Sequence, residues 1–240
     1  MISFIIPVSQ SRAFLLEGCI YAIKRAYAPV PHEIIVIEQD EKEPFKLGQV
    51  RNIGFIKSSG DTIVFIDVDI RLIHPINFFD LLVFYKKPFV AWDRLFNISE
   101  NFLGTYTILN RVHRCGAGGC TVFTRNQFEQ SGGHSNLLLG WGSEDELIAR
   151  RCRAKRSHNN LYHVFHTDYS GPYGKNGSYR DHNRAIYLSD DNRYRTKDSF
   201  KQTVWDEIEL KDLGSIKHYL VWDIRVPDTF EYKDLYICQP

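Results

Sequence analysis

What this 240-residue chain lacks already narrows its reading. No stretch approaches eighteen consecutive apolar residues, so no segment reads as a membrane-spanning helix. Neither sign of charge is in excess: 30 Lys and Arg face 29 Asp and Glu, a net +1 with the nine His neutral. Without a clustered basic surplus, nucleic acid is not expected as a partner. The five cysteines, Cys19, Cys115, Cys120, Cys152 and Cys238, are odd in number and scattered, with no CxxC spacing. They read as reduced and structural rather than as a disulfide framework or a zinc knuckle. Strand-like sequence begins at Ile2, which leaves no room for a charged leader and cleavage site, so a cytoplasmic location is expected. No GxGxxG follows that first strand, which disfavours the usual dinucleotide-binding arrangement.

What is present is a core-forming chain, 43% hydrophobic and 25% charged, of a length suited to one domain with a small appendage. Its N-terminal half alternates strand and helix signals. Apolar runs at Ile2–Val8, Glu33–Ile37 and Thr62–Ile66 read as buried strands. Between them, residues 12–27 carry a stripe of Phe14, Leu15, Ile20 and Ile23, and residues 48–59 place Val50, Ile53, Gly54 and Ile56 near one face. Short connections between these elements imply parallel pairing with right-handed crossovers. The expected class is therefore α/β, a mostly parallel central sheet flanked by helices. In such sheets ligands sit beyond the carboxyl ends of the strands. A further strand is expected at Cys120–Thr124. From about Tyr169 the periodicity weakens through Arg195, with a helical stretch expected near 200–210 and a short strand near 219–224. The division expected is 1–168 for the main domain, split into halves 1–70 and 71–168, with 169–240 as an extension packed on it.

Three places could carry chemistry. Asp67-Val68-Asp69 follows a wholly apolar strand, and carboxylates at i and i+2 leave a strand end on the same side. There they can hold a divalent cation that also grips a diphosphate, although solvated acids in a terminating turn are the plain alternative. His163 and His166 are candidate partners, better suited to Mn²⁺ or Zn²⁺ than to Mg²⁺. Their i, i+3 spacing requires a bend between them. In Gly140-Trp141-Gly142-Ser143-Glu144-Asp145-Glu146, a loop bearing an indole opens into a helix whose first turn holds three acids. A capped surface helix, with Ser143 as N-cap and the basic run Arg150–Arg156 at the opposite pole, explains the charges. It does not explain Trp141 between two glycines, where an exposed ring could stack on a sugar and a neighbouring carboxylate could act as base. Gly116-Ala117-Gly118-Gly119 could let backbone lie against a substrate, or be a plain turn.

In this order the pieces resemble the metal-dependent glycosyltransferases of the GT-A fold, and among them the β-1,4-galactosyltransferase group. The match runs from Ile5 to about His166. It takes in Ile6-Pro7-Val8, Val36-Ile37-Glu38-Gln39 leading to Phe45, Arg51-Asn52-Ile53-Gly54-Phe55, the Asp-Val-Asp triplet, Ala117-Gly118-Gly119, the Gly-Trp-Gly block and the paired histidines. The resemblance implies that Pro7, Arg12, Phe45, Arg51, Asp67, Gly118, Gly119 and Trp141 serve the donor nucleotide-sugar, with Phe45 against the uracil. It implies Mn²⁺, or Mg²⁺ in its place, on Asp69, His163 and His166. It further implies Asp145 as catalytic base with Glu144 supporting it, and Trp141 and Glu146 on the acceptor.

The activity this implies is inverting transfer of Gal or GalNAc from a UDP-sugar to a hydroxyl of a glycan or lipid-linked glycan, in bacterial capsule or other surface polysaccharide synthesis. Departures point to the donor. Lys46-Leu47 stand where galactosyltransferases usually have Asn-Arg, and Gly116-Ala117 where they carry a bulky aromatic, which leaves room for a 2-acetamido group. Arg150–Arg156 could face anionic lipid at the inner membrane surface, with a solvated helix end the favoured reading. Two other functions stay open: a binding module with a retained but inactive site, and a nucleotidyltransferase, which the glycine-free Ser9-Gln10-Ser11-Arg12 disfavours.

Overall fold

A computed structural model describes residues 1–39, 44–101, 105–112, 117–140, 142–166, 179–193 and 216–224. Its frame is a seven-stranded sheet in the order β11-β2-β1-β3-β8-β5-β9. These strands are β1 (Ile2–Ser9), β2 (His32–Gln39), β3 (Thr62–Ile66), β5 (Phe89–Val90), β8 (Cys120–Thr124), β9 (Lys155–Arg156) and β11 (Ile216–Ile224). The first three pair in parallel around β1, as their apolar runs predict. The sheet is more mixed than those runs suggest, because β8 pairs antiparallel with both β3 and β5, and β11 antiparallel with β2. A second sheet, β4-β10-β6-β7, joins β4 (Ile70–Arg71), β6 (Arg94–Glu100), β7 (Tyr106–Val112) and β10 (Asn160–Val164).

Alternation along β1 decides what covers each face of the large sheet. Phe4, Ile6 and Val8 point to one side, where α1 (Leu16–Tyr27) and α3 (Phe78–Tyr85) supply Cys19, Ile23, Tyr27, Phe78 and Leu82. Ile5 points to the other, toward Phe55 of α2 (Leu47–Lys57) and Phe128 of α4 (Arg125–Ser131). The expected stripe on the first helix shifts. A 3-10 turn at Gln10–Leu15 changes the phase, so Phe14 is exposed while Leu15, Cys19, Ile23 and Tyr27 are buried. On α2, Ile56 is exposed and Arg51 and Asn52 are buried instead, because both have partners inside.

The C-terminal portion also departs from expectation. Helix α6 (Arg180–Arg193) forms where the sequence pattern is weak, and β11 extends the expected short strand and closes the β2 edge of the large sheet. The helix expected near 200–210 lies outside the described residues. No helix among the described residues is long and apolar enough to cross a membrane. Cys19, Cys120 and Cys152 are free thiols, and burial holds each above its ordinary pKa, so they are inert.

Candidate active site and metal centre

β3 ends at Ile66, and the chain turns at once through Asp67–Asp69 into β4. The turn is pinned by Gly119. Asp67 N–H donates to the Gly119 carbonyl at 2.9 Å, and Gly119 N–H donates back to Asp67 Oδ2 at 3.2 Å. Gly119 holds φ +90°, a conformation that side-chain-bearing residues avoid. Two clusters grow from the two aspartates.

Around Asp69 gather His163 and His166, their ligand-capable atoms within 4.8 Å of one another. Sheet register explains how a side chain 97 positions away arrives. β10 pairs antiparallel with β4, setting His163 opposite Ile70, and Val164 N–H donates to the Asp69 carbonyl at 2.8 Å. β10 ends at Val164, so the chain has left the strand before His166, which supplies the bend the spacing requires. His166 Nε2 lies 3.1 Å and His163 Nε2 3.6 Å from Asp69 Oδ2. His163 Nδ1 meets Asn97 Oδ1 at 3.0 Å, which makes Nδ1 the protonated nitrogen and leaves Nε2 free to ligate. Arg12, from the 3-10 turn, completes the group at 3.0 Å from the same Oδ2. Burial opposes charge on Asp69, but the two imidazoles and Arg12 win and hold its carboxyl far below the usual range. One carboxylate and two imidazoles suit a first-row transition-metal ion such as Mn²⁺ or Zn²⁺ better than Mg²⁺, which keeps to oxygen ligands.

The second cluster is built on Arg51. Its guanidinium, buried on α2, donates Nη2 to Asp67 Oδ1 at 2.7 Å and Nη1 to Asp145 Oδ1 at 2.5 Å. Burial works against the charge, yet Asp145 and Asp67 outweigh it and raise the pKa of Arg51 above the ordinary arginine value. Asp67 is pushed up by its removal from water, opposed by Arg51, with Asp145 and Asp69 adding to the rise.

Asp145 sits on the first turn of α5 (Glu144–Arg151), and a Cβ built on Gly118 would come within 2.9 Å of its Oδ2. The Gly118 carbonyl is held in turn by Nε1 of buried Trp92 at 2.8 Å. Glu144 is buried, and its carboxyl is raised to about 8, first by burial and then by the charge of Asp145. It is therefore largely protonated at neutral pH. Ser143 takes the N-cap position but not the expected chemistry: its φ is +75° and its side chain makes no capping hydrogen bond. A non-glycine residue in that conformation stores strain, a frequent property of functional turns.

The structure thus brings together Arg12, Arg51, Asp67, Asp69, Gly118, Gly119, Glu144, Asp145, His163 and His166. Phe45 lies nearby, half-buried on Val50 and Ile53, and its carbonyl accepts from Gly140 N–H at 2.8 Å. Pro7 is buried within β1 opposite Ile37, and Glu146 is exposed on α5. Trp141 lies outside the described residues. The basic run is not one helix end. α5 stops at Arg151, and Lys155 and Arg156 form β9.

One residue had no signal in the sequence. Asn183 of α6, buried, accepts from Leu139 N–H at 3.0 Å and donates to the Leu139 and Gly142 carbonyls at 2.7 and 3.3 Å. His182 meets the Leu137 carbonyl at 3.1 Å, and Tyr187 accepts from Arg150. α6 therefore braces the chain on both sides of position 141.

Known proteins resemble this chain in part of its sequence and in its fold. Residues 110–169, a quarter of the chain, match the family model of the N-terminal domain of galactosyltransferase. The segment contains Gly118, Gly119, the α5 acids and both histidines. A β-1,4-N-acetylglucosaminyltransferase of Lymnaea stagnalis is 29% identical over 127 residues, 51% of this chain and 24% of the relative. Human β-1,4-galactosyltransferase 4 is 30% identical over 128 residues, again 51% of this chain and 33% of the relative. The chain spans only a quarter to a third of the length of these curated relatives. Among solved structures, the catalytic domain of Drosophila β1,4-galactosyltransferase 7 superposes with a TM-score of 0.51 at 19% identity, covering 82% of this chain and 80% of that one. GalNAc-T7 gives 0.55 at 15% identity, covering 81% and 50%. The fold is GT-A, and residues 110–169 are similar to the N-terminal domain of galactosyltransferase.

Proposed function

From a GT-A fold with a galactosyltransferase-like segment as premise, we propose that this protein is an inverting glycosyltransferase moving Gal or GalNAc from a UDP-sugar to a hydroxyl of a glycan or lipid-linked glycan. The observation that carries the reading is the meeting, at one strand end, of the Asp69–His163–His166 donor set with an Asp145 carboxylate held by Arg51. Mn²⁺ bound at the first would neutralise charge on the departing diphosphate as a Lewis acid. The neighbour GalNAc-T7 was solved with UDP, GalNAc and Mn²⁺, and the Drosophila enzyme with xylobiose, which supports a nucleotide-sugar donor and a glycan acceptor.

The chain's own residues then divide the work. Arg12, partly exposed and beside Asp69, can pass from that carboxylate to a phosphate oxygen. Phe45 would stack on the uracil, and Pro7 would line the same nucleotide pocket. Asp145 has Oδ1 tied to Arg51, which leaves Oδ2 to take the proton from the attacking acceptor hydroxyl. The acceptor oxygen bonds the anomeric carbon from the face opposite the diphosphate, the carbon–oxygen bond to the diphosphate breaks, and an α-linked donor gives a β-linked product. Neutral Glu144 keeps a second negative charge away from Asp145. Glu146 would hold the acceptor, and Trp141 would close over donor and acceptor and exclude water.

Small residues at 117–119 support an N-acetylated donor beside UDP-Gal. We take 1–168 as the catalytic unit, and free buried thiols are in keeping with cytoplasmic synthesis of a bacterial surface polysaccharide.

The test is UDP release from UDP-Gal and UDP-GalNAc, with Mn²⁺ or chelator, in wild type and Asp145→Asn. Metal-dependent turnover lost in the variant is expected. A protein that retains UDP with Mn²⁺ yet turns over neither donor is a binding module, and the proposal fails.

A further inference from the structure

α3 is an unusual surface helix. Every residue of Phe78–Tyr85 except Asp80 is apolar or aromatic, but the core accepts only one side. Phe78 and Leu82 are buried. Phe79, Val83 and Phe84 are 66%, 58% and 76% exposed. Phe79 and Val83 are one helical turn apart on the outer side, and Phe84 carries the apolar surface further round the helix, one turn beyond exposed Asp80. A helix whose outer face met only water would carry polar residues there.

The rim of that patch is cationic. α3 ends on Lys86, exposed and held in the left-handed conformation at φ 53°, and Lys87 follows. β9 brings exposed Lys155 alongside, its N–H donating to the Pro88 carbonyl at 2.9 Å, and Tyr85 Oη reaches the Arg156 carbonyl. None of these three lysines has an ion-pair partner among the described residues. The single acid, Asp80, lies at the opposite end of the helix and accepts from its own N-cap, Asn77.

The basic run at 150–156 changes meaning here. Arg150 packs on Tyr187, Arg151 donates to the Gly133 carbonyl and Arg156 lies over Trp92. Lys155 is left to solvent beside an aromatic patch that the run alone did not reveal.

We propose that this face, Phe79, Val83 and Phe84 with Lys86, Lys87 and Lys155, docks the protein on an anionic lipid bilayer. Aromatic side chains between lysines suit the membrane interface: the rings enter the headgroup boundary, and the ammonium groups reach up to lipid phosphates. Unpaired cations complement an anionic surface and would oppose contact between two copies of the same patch. The inference stands apart from the proposed transfer activity, because it concerns where the protein sits and needs no donor or metal.

The test is co-sedimentation of the full chain with vesicles of phosphatidylcholine, with and without phosphatidylglycerol. Binding to the phosphatidylglycerol vesicles, weakened by salt, is expected. Phe79→Ser/Phe84→Ser should reduce it at least about tenfold. Lys86→Gln/Lys87→Gln should reduce it roughly tenfold while leaving the weak binding to neutral vesicles unchanged. Phe79, Phe84 and Lys86 are exposed and Lys87 is half-buried, so unchanged thermal midpoints should confirm that the variants fold. Wild type that ignores phosphatidylglycerol vesicles, or folded variants that bind as wild type does, overturns the proposal. So does lipid-free self-association that Phe84→Ser abolishes, which would give the face to a second copy.

Discussion

Asp67 and Asp69 leave the same strand end two residues apart, and the molecule answers them differently. Asp67 meets a cation built into the chain: Arg51, buried on α2, spans the gap between it and Asp145. Asp69 meets two imidazoles and a partly exposed arginine, a set that can exchange its partners. In the first cluster both terminal guanidinium nitrogens already have their carboxylates, and only the buried Nε is left without a partner. The second is a donor set. Arg51 fixes where Asp145 stands, while the Asp69 cluster offers ligand atoms that one cation could share.

Variants on the two sides should therefore fail in different ways. The largest effect is expected on turnover. Asp69→Ala and Asp145→Asn should each lower it by about 10³-fold, and only the former should abolish Mn²⁺ binding, read by titration calorimetry. Loss of metal binding in both would mean that the clusters are one unit. Next is Arg51→Met. Removing one partner of an internal ion pair strands the others, so a loss of about 3 kcal/mol is expected by urea unfolding. Arg12→Met, on the exposed side, should cost less than about 1 kcal/mol. Equal losses would dissolve the distinction between the two clusters.

A pH experiment sharpens the same contrast. Glu144 is raised from 4.5 to about 8, so between those values the unfolded chain releases a proton that the folded one keeps. Stability from this group falls as pH rises through that window, by an amount on the order of a few kcal/mol at most. Unfolding midpoints at pH 6 and pH 9 should show wild type weaker at the higher value, and Glu144→Gln should flatten the difference.

How much of this was legible in the sequence depends on how local the cause is. β1 and β3 could be read because buried parallel strands are short apolar runs, and the Asp-Val-Asp turn follows directly from the third. β6 and β7 alternate polar residues without a clean period and gave no signal. α6 was hidden because most of its residues are polar, and its hold on the protein comes from Asn183, His182 and Tyr187 reaching another segment. In the site, residue types could be matched to roles by resemblance. That Arg51 bridges two acids, or that Gly118 leaves space for Asp145, arises from register and packing across dozens of residues, which no spacing encodes.

Asn183 gives the finest discrimination. Its amide satisfies both polar groups of Leu139 and the Gly142 carbonyl, so it fixes the backbone on either side of position 141 and, through Ser143, the start of α5. Asn183→Ala leaves those groups without partners and should cost about 1–2 kcal/mol of stability. A purely structural role would stop there. If the brace also sets Asp145 and the loop against the acceptor, the variant should raise the share of donor lost to water relative to transfer, with donor KM little changed. Asn183→Asp retains an oxygen for the Leu139 N–H but loses the amide donor to the two carbonyls, so it should restore little. Hydrolysis and transfer measured side by side in the two variants separate the roles: an unchanged ratio in both would confine Asn183 to the scaffold.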